Sequence, residues 1–193
     1  MVKAKIILAS GSPRRRQLLS ELGISFQVVT ADVSELDATT SPHLTPAELA
    51  RENARLKAVA VMKLKPGSWV LGADTVVVLD GRLFGKPASQ EEAREFLQAL
   101  SGCTHEVITS CALIAPNGEE EVFHETSKVT FRDLSDEIIE RYLTEVSVLD
   151  KAGAYALQER GEWIIAQVEG SRTNVIGLPT ECLGKVLKKR GLL

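Results

Sequence analysis

Ile6-Ile7-Leu8-Ala9-Ser10-Gly11-Ser12-Pro13-Arg14-Arg15-Arg16-Gln17-Leu18-Leu19 is the stretch on which the reading of the fold turns. Its apolar start reads as a short buried strand over residues 5 to 10, and Ser-Gly-Ser as a tight turn. The turn leads into a helix with Ser12 as N-cap and Pro13 in the first helical position. Leu18, Leu19 and Leu22 form its apolar face and Gly23 its stop. A helix N-terminus attracts anions through its unpaired amides and dipole, and arginine adds a planar fork that grips phosphate oxygens bidentately. Adjacent helical positions point about 100° apart, so three arginines cannot share one ligand. Arg14 and Arg15 are the candidates, with Ser10 and Ser12 in the same turn. A capped surface helix with solvated arginines is the plainer reading; the small-residue turn, which permits close backbone approach, favours a phosphate site.

Outward from this stretch, residues 26 to 29 read as a second short strand and residues 31 to 44 as a polar loop with Asp32, Glu35 and Asp37. Thr45-Pro46-Ala47-Glu48 is a capping box opening a long helix that stops before Pro66-Gly67. Trp69 to Leu79 is an almost wholly apolar strand, turned by Asp80-Gly81 into Leu83-Phe84. A helix from Ser89 to Leu100 comes next, then strands near Val107 to Ile114 and Glu121 to Phe131 around a Pro-Asn-Gly turn, and a helix capped by Ser135. A strand from Trp163 to Val168, a loop from Gly170 to Leu178 and a helix from Pro179 to Lys189 complete the pattern. Helices alternating with isolated strands and hairpins predict an α/β fold, a mixed β-sheet with flanking helices.

The 193 residues, 44% hydrophobic, can bury a sizeable core, and no linker divides them, so residues 1–193 read as one domain. With 26 acidic and 23 basic residues and no basic stripe, a nucleic-acid partner is disfavoured, and an anionic ligand must be held locally. No stretch has the length of a membrane span or a signal peptide, which predicts a cytoplasmic protein. Three scattered cysteines indicate neither a disulfide framework nor a zinc site.

Asp74 sits in Val70-Leu71-Gly72-Ala73-Asp74-Thr75-Val76-Val77-Val78. A carboxylate there loses its hydration at a cost of several kcal/mol unless it is paired or metal-bound. It reads as a base or metal ligand, with Gly72 leaving room for a ligand, or as an architectural carboxylate. Lys86, in Gly85-Lys86-Pro87, can reach a phosphate or lie on a bland surface loop. Glu35 is either a solvated loop acid or a metal-bridging carboxylate. Asn53 shares the long helix's Leu49 and Leu56 stripe, with Lys57 one turn on; the amide is either satisfied in the core or a ligand contact. His105 reads first as structural. Gln158, a donor and acceptor together, has the equipment to read a nucleobase edge.

Ala9-Ser10-Gly11-Ser12-Pro13-Arg14-Arg15, Gly72-Ala73-Asp74-Thr75, Gly85-Lys86-Pro87, Ser101-Gly102 with His105, Asp150-Lys151-Ala152-Gly153-Ala154-Tyr155 and Gly177-Leu178-Pro179 together resemble the Maf family of nucleoside triphosphate pyrophosphatases. The resemblance implies the fold of the inosine-triphosphate pyrophosphatases, with a deep cleft between two lobes. Gly-Ala-Asp-Thr with a later Gln resembles the subgroup that hydrolyses dTTP and UTP to the monophosphate and pyrophosphate, a nucleotide-pool sanitising role. By that resemblance Asp74 is the general base, Glu35 a further active-site carboxylate, Arg15 and Lys86 phosphate grips, and Arg14, Thr75 and Gln158 the base-specificity positions. Asp74 and Glu35 would hold a divalent metal, magnesium or manganese, and a homodimer is implied. Family members often carry Lys where this chain has Asn53, which leaves Lys57 to bind phosphate. The competing readings are a non-catalytic nucleotide-binding regulator of cell division and a same-fold pyrophosphatase acting on 7-methyl-GTP.

Overall fold

Ser12 accepts a hydrogen bond from the Arg15 amide at 3.4 Å and so starts α1 (Pro13–Glu21), directly after β1 (Ile6–Leu8). These elements come from a computed structural model that describes residues 5–193. After β2 (Phe26–Val28), the capping box closes in both directions at the head of α2 (Pro46–Leu64): Glu48 N donates to Thr45 Oγ1 at 3.3 Å, and Thr45 N to Glu48 Oε2 at 2.8 Å. β3 (Trp69–Leu79) turns through Asp80 and Gly81, at φ 50° and 79°, into β4 (Arg82–Phe84). Two successive left-handed residues are what a two-residue hairpin turn demands.

α3 (Gln90–Leu100), β5 (Thr104–Ile114), β6 (Glu120–Phe131) and α4 (Asp136–Glu145) come next, with Ser89 and Ser135 as N-caps of the two helices. The chain closes with α5 (Gly161–Ile164), β7 (Ile165–Glu169), α6 (Arg172–Ile176) and α7 (Thr180–Lys189). Strands hydrogen-bond in the order β2-β1-β3-β5-β6-β7, with β4 on β3. The sheet is mixed, as expected: β1 runs parallel to β2 and β3, whereas β3–β4 and β6–β7 are antiparallel.

The described chain divides into two compact units. One comprises residues up to Asp74, Thr109–Glu125 and Gly177–Leu193; the other comprises Thr75–Ile108 and Thr126–Ile176. In the first, Ala54, Ala58 and Val61 of α2 pack with Ile7, Val70 and Ala112 of the strands. In the second, Phe96, Leu97 and Leu100 of α3 and Ile139 and Tyr142 of α4 pack with the strand residue Phe131. Among the described residues no helix is long and apolar enough to cross a membrane.

Three expectations need correcting. Gly72 does not leave room for a ligand: a Cβ there would stand 2.2 Å from the Ala54 carbonyl oxygen and 3.0 Å from Ala58 Cβ, so the glycine lets α2 lie directly on β3. The strand expected from Trp163 begins only at Ile165, because Gly161–Ile164 is a helical turn in which Arg141 and Arg160 stack over the Trp163 ring at 4.1 and 5.2 Å. The loop expected from Gly170 to Leu178 contains α6. Ser171 Oγ accepts from Asn174 N at 3.1 Å, and the Asn174 amide donates to Val107 O and Ser127 Oγ, both at 2.9 Å. Those tertiary bonds stabilise a helix of five residues that could not form alone.

Candidate active site

The close seating of α2 on β3 brings Lys57 to Asp74. Lys57 Nζ lies 2.6 Å from Asp74 Oδ1 and 3.1 Å from Glu35 Oε1, so one ammonium joins the strand carboxylate to the loop carboxylate. Asp74 is buried, with 7% of its surface exposed, and Lys57 is largely enclosed, so this attraction acts where water screens it poorly. Glu35 is the exposed member.

Asn53, one turn before Lys57, settles between its two readings as a structural amide. Its Oδ1 accepts from Leu36 N at 2.7 Å and its Nδ2 donates to Leu36 O at 2.9 Å, which pins the loop residue next to Glu35. Asn53→Ala is expected to cost about 1–3 kcal/mol, the range for buried polar groups left unpaired. Urea unfolding and amide exchange at Leu36 measure this; an equally protected Leu36 amide in the variant would show that the loop holds its place without Asn53.

Arg15 turns its guanidinium N–H groups onto the protein. Nε donates to Gly177 O at 2.8 Å, and Nη1 donates to Ser10 Oγ at 3.1 Å and to Ala73 O at 2.9 Å. It therefore fastens the Ser10 turn to the backbone beside Asp74 and to the residues leading into α7. Burial pulls its guanidinium below the ordinary value, while the Asp74 carboxylate pulls it up. Ser10 is buried, Ser12 caps α1, and Arg14 is half-buried on the same helix.

These residues belong to the first unit; Thr75, Lys86 and Gln158 belong to the second. Thr75 is half-buried, and Lys86 and Gln158 are exposed. The segments bearing the last two meet where Gly153 N donates to Gly85 O at 3.0 Å. His105 is structural, in line with its sequence reading: it is 1% exposed, its Nε2 lies 2.8 Å from Tyr155 Oη, and its ring packs edge-on against Phe131. Its Nδ1 is buried without a hydrogen-bond partner, and burial lowers its pKa from 6.5 to about 4.

His105 thus stays neutral in the folded protein while an unfolded chain takes up its proton near pH 6.5, so stability falls on acidification from about 6.5 towards 4. The slope reaches about 1.4 kcal/mol per pH unit at most. Urea unfolding at pH 7, 6 and 5 should show it in the parent protein and lose it in His105→Gln; an identical slope in both would assign the acid sensitivity elsewhere.

Among the described residues no group of three or more His, Cys, Asp or Glu side chains is placed to hold a metal ion; the acidic part of the site is the Asp74 and Glu35 pair about Lys57. Residues 5–190 match the family model described as Maf-like protein. The chain belongs to the Maf family. The Maf chain is 47% identical over 186 residues to a dTTP/UTP pyrophosphatase of Akkermansia muciniphila, covering 96% of each. It is 46% identical over 188 residues to a dTTP/UTP pyrophosphatase of Pelotomaculum thermopropionicum, covering 97% of each. Among solved structures, the Ham1 protein of Staphylococcus aureus aligns with a TM-score of 0.55 at 19% identity, over 96% of this Maf chain and 99% of that one. That likeness is one of fold alone.

Sequence reading did not foresee that Lys57 joins two carboxylates. The signal lay in the spacing of Lys57 from Ala54 and Ala58, whose small side chains mark the helix edge that meets β3.

Proposed function

We propose that this Maf protein hydrolyses dTTP and UTP between the α and β phosphates, releasing nucleoside monophosphate and pyrophosphate, and thereby clears pyrimidine nucleotides or their modified analogues from the pool. The observation that carries the reading is the buried Asp74 held by Lys57 beside Glu35, in a chain whose curated relatives at 46% and 47% identity are dTTP/UTP pyrophosphatases. A binding module has little use for a desolvated carboxylate such as Asp74.

In this reading Asp74 Oδ accepts the proton of the attacking water, and Lys57, 2.6 Å away, orients that carboxylate. Arg15 and Lys86 add positive charge where phosphoryl oxygens become more negative. Ser10 and Ser12 lie in the turn that receives the phosphates in this reading, and a Cβ on Gly11 would stand 3.7 Å from Thr30 Cγ2, an ordinary van der Waals contact. Arg14, Thr75 and Gln158 read the base, with Gln158 matching the O4 and N3–H edge shared by thymine and uracil.

Two hard carboxylate donors suit a magnesium or manganese ion, which commonly takes one or two protein carboxylates and completes its shell with substrate phosphates and water. Asp74 and Glu35 would hold it, and when bound it would neutralise phosphate charge as a Lewis acid. The reading also takes the chain as one catalytic domain, since the family model runs unbroken over residues 5–190. A cytoplasmic setting accords with three free thiols. The homodimer rests on family resemblance.

Pyrophosphate release from dTTP, UTP, CTP, GTP, 7-methyl-GTP and ITP, with and without magnesium or manganese, tests the proposal. Metal-dependent release mainly from dTTP and UTP is expected. Activity centred on 7-methyl-GTP would keep the chemistry and overturn the base assignment; silence on all six from folded protein would return the chain to a nucleotide-binding role.

A further inference from the structure

Lys151 is 4% exposed and lies outside the machinery described so far. A buried ammonium is held only where its donors and its charge are matched, and here two hydrogen bonds and an ion pair supply the match. Nζ donates to the Ser147 carbonyl and to Asp150 Oδ1 at 2.9 Å, and pairs in charge with Glu159 Oε1 at 3.4 Å. The first two partners are local. The third spans the segment and reaches the residue next to Gln158.

The chain between Lys151 and Glu159 is pinned at nearly every step. Residues Ala152–Ala154 form a 3₁₀ turn in which Gly153 and Ala154 take left-handed φ of 70° and 59°. Gly153 N is fastened to Gly85 O at 3.0 Å and Tyr155 Oη to His105 Nε2 at 2.8 Å. Tyr142 Oη accepts from Ala156 N at 2.9 Å. Beyond Ala156 these anchors end, and exposed Gln158 lies between that last backbone anchor and the Lys151–Glu159 pair.

We propose that Lys151 is a positioning residue for base recognition, holding Gln158 in place from behind through Glu159. The inference rests on the assignment of Gln158 as the base reader. Lys151 touches neither water nor phosphate in this scheme, so its loss acts on where the base sits and leaves the bond-breaking groups alone. The Gly153–Gly85 hydrogen bond ties the same segment to the residue preceding Lys86, so the base reader and that phosphate lysine share one framework.

The test is steady-state hydrolysis of dTTP, UTP and CTP by the full chain and by Lys151→Met, Lys151→Arg, Glu159→Gln and Gln158→Ala. Lys151→Met is expected to raise KM for dTTP and UTP roughly tenfold with kcat changed less than about threefold, and to cut the dTTP-over-CTP preference by the same factor. Lys151→Arg restores part of it. In the Gln158→Ala background Lys151→Met adds no further loss of preference, because both act on one contact. A folded Lys151→Met protein that keeps its preference while Gln158→Ala loses it overturns the inference and leaves the base reader standing. Preference intact in Gln158→Ala overturns both. If Lys151→Met does not fold, Glu159→Gln decides: it leaves the ammonium on Ser147 and Asp150, and an unchanged KM overturns the inference.

Discussion

Asp74→Asn is expected to lower kcat for dTTP and UTP by roughly 10²–10⁴-fold, the span of a positioned acid–base group. The substitution is nearly isosteric and β3 keeps its backbone, but the amide cannot take a proton from water and no longer carries charge. Lys57 then retains Glu35 at 3.1 Å and can still donate to the amide oxygen in place of Asp74 Oδ1, but loses the opposite charge at 2.6 Å. Weakening a charge-assisted hydrogen bond to a neutral one should cost about 1–3 kcal/mol of stability, which leaves a folded protein to assay. Circular dichroism and a thermal melt establish the fold, and single-turnover hydrolysis separates chemistry from binding. Near-parental turnover from a folded Asn variant would remove Asp74 from the reaction and leave it an architectural carboxylate.

Gly72→Ala should be the most damaging single-methyl change in the first unit. The added Cβ would stand 2.2 Å from the Ala54 carbonyl oxygen, a backbone atom of α2 that cannot yield alone. The helix must therefore lift from β3, opening the packing of Ala54, Ala58 and Val70. A loss of about 3 kcal/mol or more is expected, at or above the usual cost of overpacking. Activity should fall with it, since Lys57 and Asn53 ride on the displaced helix. Differential scanning calorimetry reads the first effect and kcat of the surviving folded fraction the second. A variant that melts with the parent protein would mean α2 can slide without loss, and the Lys57–Asp74 contact would need another explanation.

Local chemistry was legible because its cause lies within a few residues. Ser12, Thr45, Ser89 and Ser135 each cap the helix their positions announce, and Asp80-Gly81 makes its hairpin, since a side-chain oxygen or a left-handed φ acts on the neighbouring backbone. The α5 turn and α6 were missed because their stabilisation is distant: cation–π stacking on Trp163 from Arg141 on α4, and bonds from Asn174 to Val107 and Ser127. No window of sequence contains such partners.

The same division runs through the site. From the sequence alone came the α/β class, the phosphate-like strand-turn-helix, the anomalous acid Asp74 in an apolar strand and the Maf resemblance, because residue type and order carry them. Tertiary structure alone decided that Gly72 serves a helix and not a ligand, and that Asn53 holds the Glu35 loop. It also decided that Arg15 braces the backbone at Ala73 and that Lys57 joins Asp74 to Glu35. Each is a contact between residues far apart in the chain, created when α1 and α2 come against β3 and the Glu35 loop is fastened to α2. Pairing energies depend on distances of a few ångströms, and only the folded backbone sets those distances.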